Sequence, residues 1–371
     1  MRLLILNAGS SSLKYSVIDA VDERVWMQGQ SSEGQSVRAV VDEVRSRWPL
    51  QPTGGIEGVV HRVVHGGTRF TQAVRVTPEV RSGLNELNEL APLHNPPSLA
   101  IIDAAMTLLP GVPHVAVFDT AFHATLPPEA FTYPLPGEWT ARWGLRRFGF
   151  HGLSHAYGAE RAVQMLNRPA DGARVIVAHL GSGASVTAIR DGRSIDTSMG
   201  LTPLEGLMMG TRSGSVDPGL LLHLQLRCGV SAEELEHALN HSSGLLGVSG
   251  VSADMREVAE ASHGGDSRAS LAMAIFAHRA RQAIGAAAAT LGGVDALVFT
   301  GGIGEHSGEV RAAVCEGLAC VGLDIDLDAN ATAEPDALIS TTASRAAILV
   351  ITAREDLMMA RAARASLACG M

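Results

Sequence analysis

Two turns rich in glycine and serine recur at one fixed offset in the sequence and have the chemistry of an anion site. Residues 5–19, ILNAGSSSLKYSVID, return in altered form as residues 177–191, VAHLGSGASVTAIRD, with Gly9 matched to Gly181. Glycines let backbone N–H groups approach an anion closely, and serine hydroxyls add donors, so each turn suits phosphate oxygens. The repeat indicates a duplicated domain with phosphate held in the cleft between its halves. The alternative is two ordinary hairpins matched by chance.

Five further segments place histidine, arginine and aspartate beside glycine, which is unusual in a scaffold. They are HRVVHGG (61–67), LHNPP (93–97), FDTAFH (118–123), FGFHGLSH (148–155) and GLMMGTRSGSVDPG (206–219). Arginine has a planar, permanently charged fork that binds carboxylate or phosphoryl oxygens in bidentate fashion. Two arginines are candidates for that task, Arg62 and Arg212, and Arg212 lies in a glycine-flanked loop of mobile appearance. Taken alone, Arg62 is equally consistent with a salt-bridge partner at a strand edge.

Single carboxylates and histidines in these segments have more than one interpretation. Asp119 follows an apolar run, and a carboxylate at the carboxyl end of a buried strand is a common magnesium position. Asp119 is equally consistent with a helix cap, and Glu355 with the acidic start of a helix. Each taken alone, His94, His123 and His179 fit hydrogen-bonded core histidines better than catalysts.

The elements that must position these residues alternate between strands and helices along the chain. A strand is predicted at 58–65 and a helix from Pro97 or Ser98 to Leu109. The strand at 296–300 is predicted to run into a loop, GGIGE, at 301–305. Prolines and glycine interrupt the apolar pattern over 124–149, which indicates a loop near a domain boundary.

Composition limits the class of protein. A length of 371 residues favours two domains, and 46% hydrophobic residues suffice for a core in each. The net charge of -9 argues against nucleic-acid binding. The most apolar helix, 269–291, contains charged residues, so no membrane span is predicted and a cytoplasmic location is expected. The cysteines lack zinc or redox spacing and are predicted to be reduced thiols, namely Cys228, Cys315, Cys320 and Cys369.

Together, the two turns and the five segments resemble the acetate kinase family, whose motifs recur in order along essentially the whole chain. The resemblance implies an α/β fold of duplicated actin/hexokinase/Hsp70-like (ribonuclease H-like) domains with a central cleft. It implies an N-terminal domain of residues 1–122 completed by a C-terminal helix, 355–371, and a C-terminal, nucleotide-binding domain of residues 123–354. Because that scaffold also serves sugar kinases, chaperones and filaments, the site residues must decide the function.

The resemblance also implies a role for individual positions. The implied catalytic residues are Arg62, Asp119, His151 and Arg212, with His94 and His179 supporting the transition state. The implied magnesium site comprises Asn7, Asp119 and Glu355. The implied ATP-binding residues are Asn7, Ser10, Ser12, Lys14, His179, Leu180, Gly181, Ser182, Gly183, Asp254, Met255, Arg256, Gly302, Ile303, Gly304, Glu305 and His306. The implied acyl pocket is lined by Arg62, Val64, Leu93, Phe150 and Pro203.

The chain departs from the family pattern at a few positions. Ser182 and His306 stand where the family usually has asparagine, Arg354 replaces the asparagine before Glu355, and Thr68 stands where an acidic residue is common. The departures at Ser182 and His306 concern the phosphate affinity and the nucleotide preference of the site. None of the four removes an implied arginine, magnesium carboxylate or catalytic histidine.

The resulting prediction is an acetate kinase-type enzyme that transfers a phosphoryl group directly from ATP to acetate, giving acetyl phosphate and ADP. Mg²⁺ is the expected metal, with Mn²⁺ as a substitute, and a homodimer without nucleic-acid or membrane partners is expected. A propionate or other short-chain acyl kinase is the close alternative, because a methylene is worth only about 1–3 kcal/mol of discrimination. A remote alternative is a non-catalytic actin/Hsp70-like nucleotide-binding module, in which the pair of Arg62 and Arg212 would have no function.

Overall fold

The computed structural model describes residues 1–8, 13–31, 37–47, 55–92 and 94–368. Its strands are β1 (Arg2–Ala8), β2 (Leu13–Asp19), β3 (Val25–Gln30), β4 (Gly58–Val63), β5 (Val74–Arg75), β6 (His114–Phe118), β7 (Arg174–Leu180), β8 (Ala184–Arg190), β9 (Arg193–Thr197), β10 (Ala296–Thr300), β11 (Ala337–Leu338) and β12 (Ala347–Val350). Its helices are α1 (Val37–Arg47), α2 (Pro78–Asn85), α3 (Asn95–Leu108), α4 (Pro128–Phe131), α5 (Gly137–Trp143), α6 (Gly152–Met165), α7 (Pro218–Cys228), α8 (Ala232–His241), α9 (Gly244–Ser249), α10 (Met255–His263), α11 (Ser267–Leu291), α12 (Gly301–His306), α13 (Gly308–Cys315), α14 (Leu327–Ala331) and α15 (Glu355–Ala368).

The chain divides into two compact units. The first unit comprises Met1–Ala124 and Arg354–Met371, and the second comprises Thr125–Ala353. The sequence prediction places the corresponding boundaries after residues 122 and 354. Each unit contains one six-stranded mixed sheet.

The sheet of the first unit has the strand order β3-β2-β1-β4-β6-β5. β1, β2 and β3 form an antiparallel meander, β4 and β6 join β1 in parallel, and β5 pairs antiparallel with β6. The core strands are almost wholly apolar, as expected of parallel strands covered on both faces. Val40, Val41 and Val44 of α1 and Ala105 of α3 pack against one face of the sheet.

The second unit repeats this sheet strand for strand. Its order, β9-β8-β7-β10-β12-β11, has the same parallel and antiparallel neighbours as the first. Even a local irregularity recurs, because the register shifts between Val17 and Ile18 in β2 and between Ala188 and Ile189 in β8. These two sheets confirm the predicted duplicated α/β fold class. Asn7 and His179 occupy the same place, one residue before the end of β1 and β7.

Two element boundaries differ from the sequence prediction, and Asn95 lies at both of them. The Asn95 side chain accepts a hydrogen bond from His65 N and donates one to His65 O, each at 3.1 Å. β4 therefore ends at Val63 rather than at residue 65, because the backbone of His65 pairs with a side chain. α3 begins at Asn95, since prolines are tolerated in a first helical turn.

The segment 124–149, predicted as a loop, contains the short helices α4 and α5. Neither helix has a buried residue, and Trp139 and Trp143 are about half exposed. The prediction of a loop was wrong because helices that bury nothing leave no apolar period in the sequence. In contrast, the start of α8 has a capping box that is legible in the sequence as Ser231 followed three residues later by Glu234, and each side chain accepts from the other's backbone N–H group.

Two remaining expectations concern membranes and cysteines. Among the described residues, no helix has both the length and the apolar character needed to cross a membrane. Cys228, Cys315 and Cys320 are free thiols, and Cys369 lies outside the described residues.

A pair of buried histidines lies where the first sheet meets the end of α3. His61 Nε2 is 2.9 Å from His114 Nδ1, the rings are stacked, and His114 Nε2 is 3.4 Å from the carbonyl oxygen of Leu109. Burial, reinforced by the neighbouring His114, lowers the pKa of His61 to about 3, and burial also lowers the pKa of His114. Both rings are therefore neutral in the folded protein.

We expect this pair to make the protein less stable in acid. The unfolded chain takes up a proton at His61 below pH 6.5, whereas the folded chain does so only near pH 3, so stability falls as pH drops through that window. The expected slope is about 1.4 kcal/mol per pH unit from this one group. Urea unfolding of the wild type and of the double variant His61→Phe/His114→Leu between pH 4 and 7 measures it. If the free energy of unfolding depends on pH equally in the two proteins, the buried histidines are not the source of the acid sensitivity.

Candidate active site

Three neighbouring parallel strands of the first sheet bring the predicted magnesium residues together. β1, β4 and β6 end at the same edge, where they present Asn7, Arg62 and Asp119, and Glu355 is the first residue of α15. Asn7 Nδ2 donates to Glu355 Oε2 at 3.0 Å, and Arg62 Nη1 donates to Asn7 Oδ1 at 3.1 Å. This carboxyl edge is where open α/β sheets commonly bind their ligands.

Arg62 and Asp119 form a bidentate ion pair. Arg62 Nε donates to Oδ1 at 2.9 Å and Nη2 donates to Oδ2 at 2.5 Å. Burial alone would lower the pKa of Arg62, but the carboxylates of Asp119 and Glu355 outweigh it and hold that pKa above its ordinary value. Burial raises the pKa of Asp119, and the ion pair opposes that shift. Arginine has five N–H groups, so a guanidinium fixed in this way still has donors for an anion.

A cluster of histidines and serines occupies the second unit. His151 Nδ1 lies 2.9 Å and His155 Nε2 lies 2.7 Å from the same atom, Ser185 Oγ. His179 Nδ1 lies 2.8 Å from Ser154 Oγ. The rings of His151 and His179 stack with their centroids 4.3 Å apart. Ser185 fixes the orientation of the His151 ring and Ser154 that of the His179 ring, each through the Nδ1 atom.

His151 has a backbone conformation that few non-glycine residues adopt. It precedes α6 with φ 55° and ψ 25°, in the left-handed region. Histidine tolerates this region better than most residues, yet it still costs free energy that the surrounding structure must offset. Such outliers concentrate at functional sites, so the conformation supports a functional role for His151.

Gly183 leaves an open space between two donors of the second unit. A Cβ at Gly183 would stand 3.2 Å from His151 Nε2 and 3.7 Å from Arg212 Nη2. The space is thus bordered by an imidazole nitrogen and a guanidinium nitrogen within contact distance of one point. Two such nitrogen atoms close to one point suit one oxygen of an anionic group.

Arg212 is a partly buried cation whose protein acceptors are neutral. Its Nη1 donates to Pro203 O at 2.7 Å and contacts Met209 Sδ at 3.6 Å. Within the described part of the chain, no carboxylate lies within ion-pair distance of Arg212. Burial lowers its pKa for want of such a partner. A desolvated positive charge of this kind is complementary to a bound anion.

The loop that carries Arg212 is firmly anchored, which the glycines around it did not suggest. Leu245 N donates to Met209 O at 2.8 Å and Leu246 N donates to Gly210 O at 3.0 Å, so the loop is fixed to the first turn of α9. Its glycines serve close packing, since a Cβ at Gly210 would lie 3.0 Å from Ala253 O.

The second anion turn lies against the predicted nucleotide segment at 302–306 and against the Arg212 loop. A Cβ at Gly181 would be 3.8 Å from Gly302 N, and one at Gly210 would be 3.4 Å from Ser182 Oγ. The turn, the start of α12 and the Arg212 loop are therefore neighbours within the second unit. Ala253, which also borders Gly210, leads directly into the predicted triplet at 254–256.

Some predicted ATP-binding residues use their side chains inside the protein. Leu180 and Met255 are buried, which leaves only their backbone for a ligand. Asp254 caps α10 by accepting from Arg256 N, and the two side chains form an ion pair with Nη2 2.5 Å from Oδ2. Arg256 is otherwise exposed, so this pair is accessible from solvent.

The GGIGE segment at 301–305, expected to be a loop, forms the helix α12 instead. Glu305 Oε1 accepts hydrogen bonds from Gly301 N and Ala353 N, both at 2.9 Å. The buried guanidinium of Arg311 donates to the carbonyl oxygens of Gly304 and Glu305 at 2.9 Å. The side chains of Glu305 and Arg311 thus satisfy backbone groups at both ends of a helix that the glycine-rich sequence would not form alone.

The remaining predicted residues lie at varied positions. His306 is exposed with Nδ1 3.2 Å from Gly302 O, Ile303 is half-buried, and Lys14 is exposed on β2. Of the predicted acyl pocket, Val64 is buried in the first unit, whereas Phe150 is buried and Pro203 half-buried in the second. His94 precedes α3 as its N-cap residue. Ser10, Ser12 and Leu93 lie outside the described residues.

Four residues of the site were missed by the sequence analysis. Ser185 and Ser154 orient the histidines, Arg311 fixes α12, and Glu205 anchors the Arg212 loop. The sequence offered only weak notice of Ser185, because His151 precedes α6 in a left-handed conformation and its four-residue spacing to His155 does not by itself place the two rings on one helix face. No local pattern marked Glu205 or Arg311, because each acts through partners distant in sequence.

Anion-binding side chains at the strand ends of a duplicated α/β fold are what a phosphoryl-transferring enzyme requires, because the transferred group is itself an anion. The fold and site thus define a kinase. The model of the acetokinase family matches residues 28–361. The chain belongs to this family, and it is a kinase that transfers a phosphoryl group to a carboxylate.

Individual relatives agree with this assignment over nearly the full length of the chain. The acetate kinase of Synechococcus sp. (strain JA-2-3B'a(2-13)) is 48% identical over 398 residues, covering 98% of each chain. That of Desulfitobacterium hafniense (strain Y51) is 44% identical over 394 residues, covering 97% of this chain and 98% of its own. The crystal structure of Porphyromonas gingivalis acetate kinase has a TM-score of 0.89, at 38% identity and 99% coverage of both chains. A propionate kinase from Francisella tularensis also has a TM-score of 0.89, at 38% identity, covering 97% of this chain and 98% of its own.

Proposed function

We propose that the carboxylate is acetate and that the enzyme converts acetate and ATP into acetyl phosphate and ADP by direct in-line transfer. An acetate oxygen forms a bond to the γ-phosphorus of ATP while the bond from that phosphorus to the β,γ-bridging oxygen breaks, and the electron pair leaves with ADP. Acetate is already an anion, so no general base is needed. The task is to bring two anions together and stabilise the charge on the equatorial oxygens.

The observation that carries this proposal is the environment of Arg212. Its guanidinium has only neutral protein acceptors and borders the space at Gly183 together with His151 Nε2. In that position Arg212 binds the equatorial oxygens, and His151 donates a hydrogen bond to the same group. Ser185 supports this tautomer by donating to His151 Nδ1 while it accepts from His155 Nε2, since a hydroxyl does both.

Arg62 has a different task in this proposal, because Asp119 and Asn7 already occupy part of its fork. After the bonds to Asp119, Asn7 and the carbonyl oxygen of Ala8, one N–H group of Nη2 remains, and it binds the incoming carboxylate, which the ion pair with Asp119 orients. The resident positive charge offsets the repulsion between acetate and the γ-phosphate.

The donor set of Asn7, Asp119 and Glu355 fits Mg²⁺ held mainly by water and by the nucleotide. All three offer oxygen atoms, and Mg²⁺ commonly takes one or two carboxylates together with substrate phosphates. In the described part of the chain no cluster of three histidine, cysteine or acidic residues forms a ready-made cage, which agrees with a nucleotide-borne ion. When bound, Mg²⁺ neutralises phosphate charge. Mn²⁺ is the expected substitute.

The experiment that tests this function traps the product with hydroxylamine. Acetate, propionate and butyrate are compared with several nucleotide donors, and acyl phosphate is measured as the hydroxamate. We expect acetate with Mg²⁺-ATP to give the highest kcat/KM. A clear preference for propionate would make the chain a propionate kinase, and nucleotide hydrolysis without hydroxamate would reject transfer to a carboxylate.

The preference among carboxylic acid substrates is expected to depend on Val64. Shortening this buried side chain in Val64→Ala gives room for a longer acyl tail, and each buried CH₂ gains at most about 0.8 kcal/mol. The ratio of kcat/KM for butyrate over acetate should rise several-fold, with the KM for ATP unchanged. Val63→Ala is the matched control, because Val63 is an adjacent core residue. A ratio that stays at the wild-type value in Val64→Ala, with only the melting temperature lowered, would make Val64 ordinary core.

We further propose a homodimer and a cytoplasmic location, where ATP is available. α7 supports the dimer, because it has no buried residue and leaves Leu220, Leu222 and Leu226 47%, 55% and 74% exposed. Monomeric proteins seldom expose clustered leucines in this way. Sedimentation velocity of the wild type and of Leu222→Glu/Leu226→Glu measures the association, and an unchanged sedimentation coefficient in the variant would exclude α7 from the interface.

A further inference from the structure

In the second unit, an ion pair between Arg147 and Glu205 holds the loop that leads to Arg212. Arg147 Nη2 donates to Glu205 Oε1 at 2.6 Å, and Tyr133 Oη donates to Glu205 Oε2 at 2.5 Å. Both oxygens of this carboxylate are therefore engaged. Burial, together with the bond to Glu205, raises the pKa of Tyr133, so the phenol keeps its proton and remains a donor.

Arg147 and Tyr133 also bind the backbone on the other side of the loop. Arg147 Nη1 donates to the carbonyl oxygens of Thr197, Ser198 and Met199 at 3.0–3.1 Å, where the chain leaves β9. Tyr133 Oη accepts from Leu201 N at 2.9 Å. The three side chains thus join the end of β9 to the loop at residues 200–205.

Gly200 shows how closely this network is packed. A Cβ at that position would collide with Glu205 Oε2 and with Tyr133 Oη. Gly200 O also accepts from Phe148 N at 3.0 Å, so the segment before His151 is attached at the same point. The network leaves the loop little freedom to shift.

The network affects Arg212 in two ways. Pro203, whose carbonyl oxygen accepts from Arg212 Nη1, lies two residues before Glu205 in the anchored segment. Glu205 is also a carboxylate of the same loop, and its two oxygens are bound to Arg147 and Tyr133, so neither is free for another cation. The guanidinium of Arg212 consequently has a fixed acceptor and an uncompensated charge.

We propose that Glu205, Arg147 and Tyr133 are positioning residues for Arg212, which aim its guanidinium and keep it available for the transferring phosphoryl group. None of the three touches a reacting atom in this account. The proposal rests on the proposed function, because it assigns Arg212 to the transition state.

A double-mutant cycle on kcat tests the coupling. Tyr133→Phe removes two hydrogen bonds and should lower kcat about tenfold, with the Kd for ADP unchanged. In an Arg212→Ala background the same change should lower kcat by less than about twofold, because the group that it positions is gone. Tyr15→Phe is the matched control: Tyr15 Oη donates to Glu43 Oε2 at 2.6 Å in the first unit, and its loss should leave kcat unchanged.

A rescue experiment tests the second part of the proposal without any change at Arg212. Arg147→Met releases the Glu205 carboxylate and should lower kcat more than tenfold, whereas Arg147→Met/Glu205→Gln should recover part of that loss because no free carboxylate remains. A network that only stabilises the fold predicts the opposite order, with the double variant worse than the single one.

The outcomes separate this proposal from the proposed function. Equal effects of Tyr133→Phe in both backgrounds, no effect in either, or a double variant at Arg147 and Glu205 without recovery would overturn the positioning role while leaving the kinase intact. A wild-type protein that forms no acyl phosphate would overturn the proposed function itself.

Discussion

Replacing Arg212 by alanine should lower kcat by about 10²-fold or more, equivalent to at least about 2.7 kcal/mol of transition-state stabilisation. The reason is that Arg212 presents an unpaired charge at the Gly183 space, where the phosphoryl oxygens gain charge during transfer. The Kd for ADP should change little, because this contact strengthens only in the transition state. Steady-state kinetics and calorimetric titration with ADP measure the two quantities separately.

Two further variants make the Arg212 result specific. Arg212→Lys should recover little activity, since an ammonium lacks the planar fork. Arg268→Ala is the matched control, because Arg268 also donates to a backbone carbonyl, Val248 O at 3.0 Å, but is exposed. Its kcat should stay at the wild-type value. Near-normal kcat in a folded Arg212→Ala protein would remove Arg212 from the mechanism.

Replacing Arg62 by alanine should damage both stability and catalysis. Asp119 is 1% exposed, so loss of its bidentate partner leaves a buried charge uncompensated, at a cost of about 3–5 kcal/mol in the free energy of unfolding. The kcat/KM for acetate should fall together with the stability, because the carboxylate of the substrate loses its cationic partner. Urea unfolding and kcat/KM for acetate are the measurements.

Arg81→Ala is the control for the Arg62 experiment. Arg81 makes the same bidentate contact with Asp103, at 2.8 Å for both bonds, but the Asp103 side chain is 54% exposed. Its loss should cost no more than about 1 kcal/mol. If Arg62→Ala loses stability yet keeps the wild-type kcat/KM for acetate, Arg62 is a structural residue only.

Much of the fold was visible in the sequence because local patterns repeat in it. The alternation in residues 5–19 and 177–191 marks the same pair of strands in each half, and the two sheets share one strand order. The capping box of α8 was equally local. What escaped prediction depends on individual side-chain to backbone bonds: α12 forms because Arg311 and Glu305 satisfy its ends, and β4 ends early because Asn95, 30 residues away, binds the backbone of His65.

The site shows the same division between local and distant information. Arg62, Asp119 and Asn7 stand near strand ends, and their meeting follows from the parallel order of β1, β4 and β6. The sequence could not show that Asp119 takes up most of the fork of Arg62, nor that Arg212 has no acidic partner among the residues that the structure describes. That difference depends on the burial of each charge and on contacts such as Arg147 with Glu205, which are 58 residues apart.

The most direct test of direct transfer to a carboxylate follows an oxygen atom. The enzyme is given acetate labelled with ¹⁸O in both oxygens, Mg²⁺ and ATP, and the product is examined by ³¹P NMR, in which an ¹⁸O bonded to phosphorus shifts the resonance. Attack by the carboxylate on the γ-phosphorus predicts one acetate-derived ¹⁸O bonded to phosphorus in every acetyl phosphate formed. Acetyl phosphate without that label, or phosphate released from ATP at the same rate when acetate is omitted, would contradict the account.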